Sequence, residues 1–403
     1  MADRKKVVIW GAGEKAGEVY SSLDFEKCEL IGMVDGDLGK QGKEWSYGIR
    51  IEAPVFFDCD DVDYYIISVK SSDSVVSSTR RMDIPDEKIL LFWSDISGYD
   101  FFKREYIIQR EDVILKMRQS NAPYERAGSP VKLMSNKELF ALLIDGKKSL
   151  SRFGDGEFEI IRGAKRGWFQ KNDDKLADRL KEIITSQQDK VIIGIADNFG
   201  NLDKYTEVAA DGIREYLKED VRKGIMDFLS VDRLYADAYI TRPYFMYRDK
   251  EYIRSVVKSF KELWKNRNII MVESNFSRYG VGNDIFDGVN RIKRIICPNK
   301  DAFDVYDDII SSIRANAERN DLILISLGQT ATVLAYDLGM DGYQAIDIGQ
   351  LDTEYEWFLR NATDRIEIPG KSVAELSWWH EPEQQYDNEY ENQIICEIRN
   401  DWK

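Results

Sequence analysis

Short apolar runs of strand length recur along this chain, and stretches with helical spacing separate most of them. KVVIW at residues 6–10, ELIGMVD ending at Asp35, YYIISV from Tyr64 to Val69 and KILLFW from Lys88 to Trp93 form one series. SLSRF (149–153), VIIGIA (191–196), NIIMVES (268–274), RIKRIICP (291–298), LILISLG (322–328) and QAIDIG (344–349) form a second. A continuous apolar run suits a strand covered by helices on both faces, so the pattern predicts an α/β chain with mostly parallel, doubly wound sheets. Ligands in such folds meet the carboxyl ends of the strands, and the residues just after each run become the candidates for a site.

The two series predict two Rossmann-like units. Residues 1–100 carry the first. From 101 to 134 the sequence is polar with helical spacing and then meets Pro123, Gly128 and Pro130, which reads as a helical linker. Residues 135–403 carry the second series. A chain of 403 residues is long enough for roughly two or three domains of ordinary size.

An apolar fraction of 43% and a charged fraction of 32% place the chain among globular proteins. No apolar run nears the roughly 20 residues that span a bilayer, and MADRKKVVIWGAG passes from a basic triplet straight into a strand. Neither a signal peptide nor a membrane-spanning segment is expected, and any membrane association would be peripheral. Cys28, Cys59, Cys297 and Cys396 are too scattered for a metal pair or a disulfide framework, which fits a cytoplasmic location. The net charge of −15 repels a nucleic-acid backbone. An acidic protein that handles a phosphorylated small molecule needs local neutralisation from a metal ion, arginine or helix N-termini.

The segment SLSRFGDGEFEIIRGA meets that need most directly. A strand ends in Arg152-Phe153-Gly154-Asp155-Gly156-Glu157 and a helix follows. In an extended or tightly turned backbone, Asp155 and Glu157 point the same way, so both carboxylates can face one hard cation such as Mg2+ or Mn2+. Gly154 and Gly156 leave room for a ligand, and Arg152 adds a guanidinium suited to phosphate. The same acids also suit a plain helix start, where they cap the first turn.

Further clusters follow later strands. ESNFSRYGVGNDIF offers Arg278, Gly280, Gly282, Asn283 and Asp284. SLGQTATVLAYDL places Gly328, Gln329 and Thr330 at a helix N-terminus, where exposed amides and hydroxyls suit an anion or a sugar hydroxyl. IDIGQLDTEYEW brings Asp347, Asp352 and Glu354, which suit a base, a further ligand or a solvated helix start. The acidic segment EPEQQYDNEYE, from Glu381 to Glu391, is expected at the surface.

Taken together and in order, RFGDGE, Trp168-Phe169-Gln170, SRYGVGNDIF, RIICPNKDAF, LGQTATVLAYDLG and YQAIDIGQLDTEYEWFL resemble the signature blocks of the GT-D fold glycosyltransferases, a bacterial family first catalogued as a domain of unknown function. The resemblance spans about Ser135 to Leu359. It implies a Rossmann-like catalytic domain, a nucleotide-sugar donor such as UDP-glucose or a relative, a glycan or glycoprotein acceptor, and a D-x-E metal site on Asp155 and Glu157. Donor binding is expected on Arg152, Phe153, Gly154, Gly156, Gln170, Arg278, Gly282, Asn283, Asp284, Gly328, Gln329, Thr330 and Gln350, and Asp352 joins Asp155 and Glu157 as a catalytic candidate. The sequence departs from the family pattern at Gln329, where proline is common, and at Gln350, where histidine is common.

The first unit carries its own fingerprint. GAGEKA fits G-x-G-x-x-A after a strand, and Asp35 lies 22 residues beyond Gly13, where a dinucleotide fold places its ribose acid. Gly11, Gly13, Ala16 and Asp35 are therefore its nucleotide-binding candidates. The stretch GMVDGDLGKQGKEWSYGIRI resembles the sugar- or nucleotide-binding N-terminal domains of bacterial polysaccharide enzymes, which implies an ancillary role. The competing functions are an NAD-dependent oxidoreductase or epimerase of sugar nucleotides, and a non-catalytic nucleotide-sugar-binding protein. The first lacks a proton-transfer group beside its fingerprint, since the only histidine is His380, in WWHEPE.

Overall fold

A computed structural model describes residues 4–400 except 14, 46–47, 70–72, 93–104, 108–109, 164–169 and 374–385. The chain divides into two units, Met1–Gln119 and Ser120–Lys403, and the division falls inside the helix Arg110–Ala127, which runs on through Pro123.

Among the described residues, the first unit is built on a parallel sheet of five strands: β1 (Lys5–Trp10), β2 (Cys28–Val34), β3 (Ile51–Glu52), β4 (Tyr64–Ile67) and β5 (Ile89–Leu91). Their order is β3-β2-β1-β4-β5, the doubly wound arrangement. Val7 and Ile9 pack with Val19 and Leu23 on one face, and Val8 and Trp10 pack with Tyr65 and Ile84 on the other. Burial on both faces explains why β1 reads as one unbroken apolar run.

Among the described residues, the second unit holds nine parallel strands in the order β14-β11-β10-β12-β13-β7-β8-β9-β6. They are β6 (Lys132–Leu133), β7 (Ser149–Phe153), β8 (Val191–Ile195), β9 (Leu234–Asp237), β10 (Asn268–Ser274), β11 (Arg291–Cys297), β12 (Leu322–Ser326), β13 (Gln344–Asp347) and β14 (Ile394–Glu397). The apolar runs located β7, β8, β10, β11, β12 and β13. The short strands β6, β9 and β14, at or next to the sheet edges, carry little apolar signal of their own.

Helices cover both faces. Tyr252–Trp264 buries Ile253, Val256, Val257, Phe260, Leu263 and Trp264, the i, i+3, i+4 stripe of an amphipathic helix. At about 1.5–3 kcal/mol for each large apolar side chain, that stripe anchors the helix firmly. The helix Gly328–Met340 is buried on nearly every side. At Gly339 it approaches so closely that a Cβ would lie 2.6 Å from Val191 and 2.8 Å from Ser149, so any larger residue would push it off β7 and β8. All four cysteines are free thiols. Among the described residues, no helix is long and apolar enough to cross a membrane.

Candidate active site

From β10 the chain crosses to β11 on one side and then to β12 on the other, so the outgoing loops of β10 and β12 diverge. A crevice at the carboxyl ends of the strands is the expected result. A cleft of about 870 Å3, counted to its open mouth, lies there. Ser274 and Tyr279 reach it from β10, Asn299 from β11, Ser326, Gly328 and Gln329 from β12, and Gln350 and Asp352 from β13. Its side chains are mainly hydroxyls and amides, with no lysine or arginine among the described residues that line it.

Several expected donor-binding residues meet at this cleft. Gln170 lines it, and its Oε1 accepts from the Phe303 amide at 3.2 Å and from the Thr330 hydroxyl at 3.3 Å. Gly328 begins the helix in left-handed backbone (φ +51°), which ends β12 at Ser326, earlier than the apolar run suggested. The Oε1 of Gln329 is buried without a hydrogen-bond partner. Trp168 and Phe169, named with Gln170 in the sequence, lie outside the described residues, as does His380.

Asp352 also lines the cleft, but both its oxygens are engaged. Oδ1 accepts from the Gly280 amide at 3.0 Å and from Asn283 Nδ2 at 2.7 Å, while Oδ2 meets Lys371 Nζ at 2.7 Å. Lys371 also contacts Glu356 at 3.0 Å. A carboxylate held this way fixes the loop after β10 against the helix Leu351–Leu359, rather than standing ready as a base. Nearby Glu354 accepts from the Tyr244 and Phe245 amides at 2.7 and 3.2 Å, so it caps a helix instead of facing the cleft.

The D-x-E segment follows β7, the neighbour of β13. Its backbone is not extended: Asp155–Ile161 is helical from its first residue. Residues two apart on a helix point in widely different directions, so the common orientation expected of the two acids is not realised. Asp155 is exposed, whereas Glu157 is 8% exposed and its Oε2 accepts from the Gly154 amide at 2.7 Å, completing a capping interaction. Burial, helped by the nearby carboxylates of Asp347 and Asp155, pushes the Glu157 carboxyl up to about 7, against the pull of the Gly154 amide.

Arg152 corrects a second expectation. Its guanidinium meets Asp347 Oδ1 at 2.6 Å and donates to the backbone carbonyls of Asp347 and Ala238 at 2.9 and 3.1 Å. It therefore binds strand ends together and is not displayed to a phosphate. Phe153 is wholly buried against Phe158 in the core, and Gly156 is buried within the helix, so neither forms a ligand wall.

In the SRYGVGND loop, Arg278 has left-handed backbone (φ +44°), and its guanidinium lies 4.8 Å from the Tyr390 ring centre. Tyr390 is buried, also contacts Arg294, and donates to Glu273 at 3.4 Å. Tyr390 alone of this part of the acidic C-terminal segment is thus interior, while Tyr386, Asn388, Glu389 and Glu391 are exposed and Glu381–Gln385 lies outside the described residues. Gly282 is exposed, and Asp284 pairs with Lys261 at 2.5 Å and Tyr355 at 2.7 Å; neither lines the cleft. Sequence reasoning passed over Tyr279 and Lys371. The strand-end position of β10 was a usable signal for Tyr279, whereas nothing local marks Lys371.

In the first unit, Gly11 (φ +109°) turns the chain where a Cβ would lie 2.6 Å from the Ser68 hydroxyl. Ala16 is buried at the helix start. Asp35 accepts from the Ala12 amide at 2.8 Å, the Asp37 amide at 2.9 Å and Lys40 at 3.1 Å, so the expected ribose acid is already engaged in latching the glycine turn. Among the described residues, the only group of three acidic or thiol side chains close enough to share a metal ion is Asp58, Cys59 and Asp60, also in this unit. Asp58 there caps its own turn through the Asp60 amide.

Comparison with known proteins fits this architecture. Residues 150–376 match the family described as glycosyltransferase GT-D fold, and residues 3–90 match one described as C2185-like, N-terminal. The chain is 31% identical over 337 residues to "Probable glycosyl transferase Gly" of Streptococcus gordonii, aligning 83% of this chain with 48% of that protein. It is 31% identical over 337 residues to "Glycosyltransferase GlyD" of Streptococcus pneumoniae serotype 4, aligning 82% of this chain with 40% of that protein. The chain thus spans about half or less of the length of these relatives. A solved domain of unknown function 1792, described as having a distinct glycosyltransferase fold, superposes with a TM-score of 0.64 at 35% identity, covering 70% of this chain and 100% of that one. A glycosyltransferase of the same domain class from Streptococcus sanguinis gives 0.62 at 33% identity over 67% of this chain and 100% of that one.

Proposed function

This chain belongs to the GT-D fold glycosyltransferases, and from that premise we propose that it moves a sugar from a nucleotide-sugar donor, UDP-glucose or a relative, to a glycan or glycoprotein acceptor. The observation that carries the reading is the hydroxyl- and amide-lined cleft at the strand switch, with the acid-rich turn after β7 next to β13 in the sheet. Amides in the first turn of Gly328–Met340 have no partner within their own helix and suit a phosphate or a sugar oxygen. Gln170, tied to Thr330 and Phe303, keeps that helix start in register with the loop after β11.

The oxygen donors of Asp155 and Glu157 suit a divalent cation, Mn2+ or Mg2+, in their chemistry, although the helix that begins at Asp155 directs the two side chains apart. The donor set there is all oxygen, and Asp155, Glu157 and Asp347 place three carboxylates near the guanidinium of Arg152. Burial first, and then the nearby Asp347 and Asp155 carboxylates, raise the proton affinity of Glu157. Once bound, the cation would neutralise the diphosphate as the glycosidic bond breaks. Arg152 holds Asp347 in place, and the Gly154 amide orients Glu157.

The first unit fits an ancillary sugar- or nucleotide-binding role, since its Asp35 is committed to the turn. The decisive assay measures UDP release from UDP-glucose and other UDP-sugars in Mn2+ and in EDTA, for wild type, Asp155→Asn and Glu157→Gln. Metal-dependent turnover that both substitutions abolish supports the proposal. Undiminished turnover in EDTA, or in Asp155→Asn, would end the metal-site reading.

A further inference from the structure

A buried ion pair often adds no stability over apolar side chains of similar volume, but it does demand a fixed arrangement of its partners. Glu273, near the end of β10, and Arg294 on β11 form such a pair, and both are buried. One carboxylate oxygen of Glu273 accepts from Arg294 and, at 3.4 Å, from the Tyr390 hydroxyl. The other accepts from the Tyr279 amide at 2.7 Å. Glu273 therefore joins the interior to the loop that follows it, whose Ser274, Ser277 and Tyr279 line the cleft.

The partners that hold Glu273 come from the C-terminal end of the chain, beyond residue 376, where the family match ends. Tyr390 lies in the helix Asn388–Gln393, and its ring centre is 4.8 Å from the Arg278 guanidinium and 4.5 Å from that of Arg294. Arg294 Nε also donates to Gln393 Oε1 at 2.7 Å. β14 then pairs with β11, and the Ile398 amide donates to the Ile296 carbonyl at 2.8 Å. Arg278 directly precedes Tyr279 and has left-handed backbone (φ +44°), a conformation that a side chain other than glycine keeps only where its surroundings hold it.

We infer that Glu273 and Tyr390 are positioning residues through which the segment Asn388–Glu397 fixes the cleft-lining loop Ser274–Tyr279. Neither is among the residues that line the cleft, so both act through the loop. The loop has other anchors: Asp352 accepts from the Gly280 amide at 3.0 Å, and the Phe276 carbonyl accepts from the Ser372 amide at 2.8 Å. Losing the Glu273 anchor therefore loosens the loop without unfolding it. In the donor-site reading above, on which the kinetic consequence rests, a wall that touches the donor alike before and during reaction governs KM more than kcat.

Hydrogen exchange read by mass spectrometry on the full chain tests this. The proteins are wild type, Tyr390→Leu, Tyr390→Phe and the paired replacement Glu273→Met with Arg294→Met. Amides of residues 276–282 should exchange about tenfold faster in Tyr390→Leu and in the paired variant, while β10 and β12 keep their protection. Tyr390→Phe keeps the ring beside both guanidiniums and should stay within about twofold of wild type. In UDP release from UDP-glucose with Mn2+, KM should rise about tenfold in Tyr390→Leu, with kcat within about threefold and Tyr390→Phe restoring both.

Unchanged loop exchange in Tyr390→Leu would overturn the inference. Exchange that rises equally in the loop, β10 and β12 would overturn it too, by showing general destabilisation. So would a Tyr390→Phe variant as impaired as Tyr390→Leu, or a fall in kcat with KM unmoved. If the paired variant does not fold, the comparison of Tyr390→Leu with Tyr390→Phe decides. If wild type releases no UDP, the donor reading fails, and faster loop exchange in Tyr390→Leu, restored in Tyr390→Phe, still upholds the positioning role.

Discussion

Arg152 and Asp347 meet at 2.6 Å from neighbouring strands, β7 and β13, although 195 residues separate them in sequence. Removing one partner of a buried pair leaves a charge without compensation, which costs about 3–5 kcal/mol. Arg152→Met should therefore destabilise the second unit by about that amount in urea unfolding, and adding Asp347→Asn should recover part of it. A loss within about 0.5 kcal/mol, the range of an ordinary surface substitution, would show that the pair does not hold the strand ends.

The proton on Glu157 gives a stability that depends on pH. Its carboxyl titrates near 4.5 when unfolded and at about 7 when folded, so the folded state holds the proton more tightly across that interval. Stability from this group is present at low pH, falls as pH rises from about 4.5 through about 7, and is level above. Glu157→Gln imitates the protonated form. Its melting temperature relative to wild type should rise between pH 5 and pH 8, and wild-type Mn2+ affinity should weaken as pH drops below about 7. Parallel melting profiles for the two proteins would contradict the assignment.

Asp352 is expected to act through position. Asp352→Asn should reduce stability by about 1.5–3 kcal/mol, since it weakens a charge-assisted bond to Lys371, while kcat falls less than about tenfold. A general base would instead lose about 100-fold or more with its pH–rate limb removed. Steady-state kinetics across pH, set beside chemical denaturation of the same variant, distinguishes the two roles.

The first unit should show no hydride transfer. Burial works against the Asp35 carboxylate, yet the Asp37 and Ala12 amides and Lys40 together hold its pKa below the usual carboxylate value of 3.8. Its contribution to stability is thus present above about pH 3.8 and lost as pH falls through the lower folded value. Asp35→Ala should loosen the glycine turn and lower the melting temperature at pH 7, with that deficit shrinking toward pH 3. NAD offered to the intact chain with a UDP-sugar should yield no NADH by absorbance; steady production would restore the oxidoreductase reading.

Much of the framework was legible in the chain itself. Central strands such as β10 and β12 are buried on both faces, so most of their residues are apolar and the run announces itself. Gly11 and Gly328 could be read as turns because their backbones enter regions that side chains disfavour. The ordered motifs from RFGDGE to GQLDTEYEW likewise located the loops at the carboxyl ends of the strands, which is why Gln170, Gly328, Gln329, Gln350 and Asp352 proved to be cleft residues.

What each polar side chain does once it arrives was decided elsewhere. Asp155 and Glu157 looked alike in sequence, but a helix beginning at Asp155 left one exposed and drew the other inward onto the Gly154 amide. Arg152 suited a phosphate until Asp347 was brought beside it, and Tyr390 looked like part of an acidic surface until it lay across Arg278 and Arg294. The physical reason is range. Backbone preference and apolar periodicity act over a few residues and are written locally, whereas a charge or hydroxyl takes its role from whichever partner the fold brings within about 3 Å, however distant in sequence.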